Sequence, residues 1–322
     1  MRVTENSNYD TVRESIRRSK ERMENLQLQS STLRKVNQPS DDPIGATKIL
    51  EMRTEKTNND QFQMNAKVAE AFLSNTELAI GELSEIVVRA KEIAIGQSSA
   101  ASSNEDTRLG VAEEVTQLFK HAVSIGNRRV GDRYLFGGYK TQKPPLDAEG
   151  TYKGDHGQMM VEIASDVFLA MNIPGADVFN THTPSVSQGS QNQKGYGENS
   201  GEQSGDPEPL ENVNLFEEIQ NFRIGLLTGD IDGIRNTLER FDQIQGKLVA
   251  MRARLGSRIQ GLQSTAQAIE RRNITNATLA SSLEDADMAQ VVSDLGKEET
   301  VFRSALASSK KLIQPTLLDF LK

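Results

Sequence analysis

Three histidines, His121, His156 and His182, are the side chains best suited to metal ligation or general-base work. They fall on a helical stretch, in a turn and in a polar stretch, and no pair has a spacing that builds a metal site. Glu284, Asp285 and Asp287 form the densest acidic cluster outside the polar stretch. Residues 284 and 287 share a helical face, which makes at best a weak cation site; a solvated face or a partner contact fits better. Asp41 and Asp42, with Pro39 before them and Pro43 after, read as a helix cap, because a carboxylate accepts free amides and proline suits the first helical position. Arg252, Arg254, Arg258, Arg271 and Arg272 make one helix locally basic. Without interleaved aromatics or a basic domain around them, ion pairing within or between subunits is the expectation, and nucleic acid is not. Gly137-Gly138 reads as a turn, since no Lys-Ser/Thr and helix follow as in a phosphate loop. These residue types in these patterns point to no catalytic, metal or cofactor site, and the chain reads as a non-enzyme.

Composition sharpens that reading. The 322 residues carry 36% hydrophobic side chains, 11 Phe, 5 Tyr and no Trp, thin for one large core but ample for helices that bury a stripe and keep the rest wet. Length alone suggests two or three structural units. The net charge of −8 and sequence pI of about 5.2 offer no basic surface to displace counterions from phosphates. No cysteine is present, so disulfides and thiolate metal sites are excluded. The N-terminus lacks the apolar centre of a cleavable signal, and no apolar run reaches the roughly 18 residues of a membrane span.

The chain ends carry the strongest pattern. Met288, Val292, Leu295, Glu299, Phe302, Leu306, Ser309 and Ile313 recur at alternating steps of four and three, the seam of a helix that supercoils against a partner. Val291, Ala305 and Leu312 widen that stripe. Tyr9, Val12, Ile16, Ser19, Met23, Leu26, Ser30 and Leu33 repeat the spacing at the other end. Polar residues at seam positions weaken an isolated pair and fix its alignment. Both helices therefore need a partner, either each other or neighbouring subunits.

Between the ends, a proline-free run from Ile44 to about Ile95 predicts one helix of roughly 50 residues, spanning about 75 Å. A third helix follows, capped by Ser103 or Asn104 and reaching about Arg129. Residues around Tyr134-Leu135-Phe136, 159–163 and 167–173 are strand-like, and residues 180–209 are almost free of apolar side chains and read as a mobile surface loop. Helix resumes near Asn212 and continues from Ile231 with few breaks to the C-terminal seam. The expected fold is mainly α: a long antiparallel helical rod formed by both chain ends, plus a small β-containing insert. The expected division is 1–42 with 280–322 as terminal coiled-coil helices, 43–141 with 210–279 as the rod, and 142–209 as the insert.

This arrangement resembles the bacterial flagellin superfamily, and within it the flagellar hook-associated protein 3 family. The resemblance rests on Asn37 to Pro43 ahead of the long helix, Arg133 to Thr141 after the third, Asn172-Ile173-Pro174-Gly175 with Val178-Phe179, and Leu283 to Asp287 opening the last helix. It implies a structural protein of the bacterial flagellum, an adaptor between hook and flagellin filament. Terminal helices would line the inner tube and a small β domain would face outward. It also implies export through the flagellar type III apparatus to an extracellular position without a cleavable signal, and an export chaperone on the C-terminal helix. Partners would be copies of the chain, a hook-associated protein on the hook side and flagellin on the other. A flagellin, or a self-contained helical adhesion or binding protein, is the alternative. The residues expected at the assembly and chaperone interface are Tyr9, Val12, Ile16, Met23, Leu26, Leu33, Met288, Val292, Leu295, Phe302, Leu306 and Ile313.

Overall fold

In the computed structural model, residues 2–98, 104–181 and 213–319 are described. The polar stretch read as a mobile loop lies almost wholly outside them, as do Ser103 and His182. Seven helices among the described residues run α1 (Arg2–Thr32), α2 (Pro43–Gln97), α3 (Glu105–Gly126), α4 (Gly175–Phe179), α5 (Leu215–Thr228), α6 (Ile231–Glu284) and α7 (Met288–Asp319). Two antiparallel hairpins interrupt them: β1 (Arg129–Val130) with β2 (Arg133–Tyr134), and β3 (Met160–Ala164) with β4 (Val167–Ala170). The described residues form two compact units, Gln61–Ile269 and Met1–Asp60 with Glu270–Lys322.

In the unit 61–269, apolar side chains of α2, α3, α5 and α6 meet in one core together with residues from the hairpin segments, their connections and α4 between 135 and 179. An aromatic chain runs through it. Phe136 packs on Phe179 at 5.3 Å between ring centres, Phe179 on Phe216 at 5.0 Å, and Phe216 on Phe119 at 6.3 Å. The edge-on geometry suits the ring quadrupoles. Tyr152 closes the cluster, its hydroxyl 2.8 Å from the Phe136 carbonyl and 2.9 Å from that of Asp155, and burial pushes its phenol up to about 12.

The third helix ends at Gly126 rather than about Arg129. Asn127 there leaves the helix and exchanges two hydrogen bonds with the Leu146 backbone, at 2.9 and 3.0 Å, and residues 129–130 are taken into β1. The polypeptide from Ile231 does not run unbroken into the last helix: α6 stops at Glu284, and Asp287 starts α7 by accepting the Ala289 amide at 2.9 Å. Asn214 caps α5 in the same way, accepting from the Phe216 and Glu217 amides.

The Gly137-Gly138 turn has a physical cause. Gly138 sits at φ 68°, and a Cβ there would fall 2.0 Å from the Asp155 carboxylate. Asp155 occupies that space to accept the Tyr139 amide at 2.7 Å and the Gly157 amide at 2.9 Å. Burial works against its charge, yet these amides hold its carboxyl below the usual carboxylate range.

Candidate assembly interface

The unit formed by residues 1–60 and 270–322 is built differently. α1 and α7 pack side by side, so each terminal seam meets the other end of the same chain. On α1 the sheltered positions are Val12, Ile16, Ser19, Met23, Leu26 and Ser30, the expected stripe. On α7 the seam positions so sheltered are Met288, Val291, Leu295, Glu298, Phe302, Ala305 and Ser309, with Asp294 beside them. This is the four-three pattern displaced at every second position from the spacing expected above. Val291 replaces Val292, Glu298 replaces Glu299, and Ala305 replaces Leu306. Ser19 decides the matter: only 5% exposed, its hydroxyl donates to the Glu298 carboxylate at 2.7 Å. A small residue opposite a long carboxylate satisfies both, whereas Glu299 faces outward and pairs with Arg303 at 2.6 Å.

That displacement leaves large apolar side chains uncovered. Val292 is 57% exposed and Leu306 41%. Leu33 lies just past the end of α1, exposed, at φ 60°. Tyr9 lies in α1 and Ile313 in α7, but their side chains are outside those described. Of the twelve residues expected at the interface, Val12, Ile16, Met23, Leu26, Met288, Leu295 and Phe302 thus line the α1/α7 seam, and Leu33, Val292 and Leu306 point away from it.

The loops at the base of this pair are tied together by hydrogen bonds. The Asp42 carboxylate accepts the Gly45 amide at 2.9 Å, with Pro43 the first residue of α2. Asp41 does a separate job, clamping the preceding turn through the amides of Asn37 at 3.1 Å and Gln38 at 2.9 Å; Pro39 stands inside that turn. Arg34 pairs with Asp285 in an antiparallel bridge, the Lys35 amide donates to the Glu284 carbonyl at 2.6 Å, and the Ala286 amide to the Leu33 carbonyl at 3.1 Å. The Glu284 carboxylate, 9% exposed, takes Arg34 and Arg53, each at 2.6 Å. Asp285 accepts from Ser281, and Asp287 caps α7, so the acidic cluster divides into three unrelated contacts. Among the described residues no group of three or more His, Asp and Glu is placed to hold a metal.

Contacts between α2 and α6 in this unit are also polar. Asn59, buried, donates to Asn273 at 2.8 Å, and Arg272 pairs with Glu55 at 2.7 Å. Of the remaining arginines of the basic helix, Arg252 pairs with Glu77 at 2.7 Å in the other unit. Sequence reasoning missed Arg34, Arg53 and Glu298. For Glu298 the one signal available was Ser19, a polar residue at a seam position that needs a partner; Arg34 and Arg53 had none.

The described residues thus comprise a two-helix seam closed by both ends of one chain and, in a separate unit, a helical core with short hairpins. Residues 3–141 match the bacterial flagellin N-terminal helical region. The chain is 26% identical to flagellar hook-associated protein 3 of Salmonella typhimurium over 185 residues, 57% of this chain and 58% of that protein. It thus spans a little over half the length of that relative. It is 21% identical to a flagellin of Listeria innocua over 307 residues, 95% of this chain and 94% of the flagellin. Flagellar hook associated protein-3 of Legionella pneumophila shares the fold with a TM-score of 0.58, over 73% of this chain and 98% of that one, at 19% identity. The chain is thus similar to flagellar hook-associated protein 3 and to flagellins, and it carries a stretch like the flagellin N-terminal helical region.

Proposed function

We propose that the chain is a structural, non-catalytic subunit of the bacterial flagellum that joins hook to filament. It adds to neighbours through the α1/α7 pair. The observation that carries this reading is the pair itself: a seam matched through Ser19 and Glu298, with Val292 and Leu306 uncovered on one side of α7. On this reading a neighbouring subunit covers Val292 and Leu306, which lie on one face of α7. Likeness to hook-associated protein 3 supports that place in the flagellum. The remaining partners follow from that place: copies of the chain in a ring or helical layer, a hook-associated protein on one side, flagellin on the other, and an export chaperone on α7 beforehand. On this reading residues 1–42 and 280–322 form the inner-tube part, 43–141 and 210–279 the rod, and 142–209 the outward insert, and the subunit stands outside the cell after export without signal cleavage. No described helix is long and apolar enough to cross a membrane.

Deleting the gene tests the reading: hooks without filaments, with flagellin shed into the medium, is the expected result. A second reading, a filament subunit, draws on the Listeria flagellin match over nearly the whole length of both chains. It predicts instead that hooks lose filaments because no flagellin is made.

A further inference from the structure

Glu284 closes the last turn of α6, where the helix dipole disfavours a carboxylate. It is nevertheless buried there, and one oxygen receives both Arg34 Nε and Arg53 from two other segments of the chain. A carboxylate withdrawn from water in an unfavourable field is retained only with charged partners. Its own carbonyl accepts the Lys35 amide, and the bridge between Arg34 and Asp285 continues the pairing. The two connections, α1 to α2 and α6 to α7, are thus fastened to each other beneath the helix pair by one side chain and a short backbone ladder. Asn37 braces the same turn by donating to the Arg34 carbonyl at 3.0 Å, and Gln29 reaches the Lys35 carbonyl at 3.3 Å.

We propose that Glu284 is the positioning residue of the assembly interface: by clasping Arg34 and Arg53 it holds the two connections together and sets how the α1/α7 pair is presented to the next subunit. The proposal rests on the structural role proposed above, but its first test does not. Replacing Glu284 with glutamine keeps size and removes charge. In the full chain as a soluble monomer, amide exchange at Lys35 and Ala286 should then accelerate about 10- to 100-fold, the worth of charge-assisted bonds to a buried group. Exchange within the α1/α7 seam, at Met23 for example, should stay as it was. Arg34→Gln, which alters an exposed side chain and leaves Arg53 on Glu284, should give a smaller acceleration at the same two amides. Unchanged exchange at Lys35 and Ala286 in both variants would overturn the clasp. In cells, Glu284→Gln should export normally yet leave filaments detached; normal filaments from a variant whose clasp is open would overturn the positioning role. A deletion strain that keeps its filaments would instead remove the proposed function and leave the exchange result standing.

Discussion

The two units of this chain solve the packing problem in opposite ways. Residues 61–269 bury Phe136, Phe179, Phe216, Phe222 and Phe241 in one continuous apolar cluster. Residues 1–60 and 270–322 bury Ile49 and Val291, and beside them Ser19, Asn59 and Glu284. A core of rings is stable whatever surrounds it, because each large side chain withdrawn from water contributes roughly 1.5–3 kcal/mol. A seam of single polar matches specifies alignment but contributes about 1 kcal/mol per hydrogen bond. The first unit is therefore made to stand by itself, and the second, on the proposed function, to be completed by a neighbour.

Substitutions should separate the two regimes. Phe216→Ala removes a ring that touches both Phe119 and Phe179, and its expected cost is about 3–5 kcal/mol, read as a large drop in denaturation midpoint. Val291→Asp places an unpaired carboxylate in the terminal seam and should loosen α1 from α7, with a cost of about 1–3 kcal/mol measured by helix content and proteolysis of the ends. Leu306→Asp, by contrast, lies on the uncovered side. It should leave the monomer's thermal midpoint unchanged and still abolish filament attachment; normal swimming by this variant would weigh against the assembly surface. Ser19→Ala leaves Glu298 without its partner and should cost about 1 kcal/mol, visible only in the terminal unit.

Acid should expose a smaller effect in the core unit. The folded carboxyl of Asp155 titrates below its unfolded value, so its contribution is complete above about pH 4 and fades as pH falls through the folded pKa. The gap in thermal midpoint between the native chain and Asp155→Asn should accordingly narrow as the solution is acidified from neutrality.

Much of this was legible beforehand. A long proline-free run announced α2, apolar periodicity announced α6 and the terminal helices, and Asp42-Pro43 announced where α2 begins. The offset of the α7 seam was not. Positions 291 and 292 are both valine, and 305 and 306 are alanine and leucine, so three-step and four-step paths along the helix look alike until the facing helix chooses. Ser19 made that choice, and its partner stands 279 positions away. Glu284 read as part of a solvated acidic face or a partner contact, with no partner named, for the same reason: Arg53, which pairs with it, is 231 positions off, and nothing local predicts the meeting.

Hydrogen exchange on the purified full-length chain, followed residue by residue as a monomer and again in assembled flagella, tests the contrast between the units most directly. Amides of residues 12–30 and 288–309 should exchange far faster in the monomer than those lining the aromatic core, and should slow to match them after assembly. Equal and strong protection of both units in the free monomer would contradict the account.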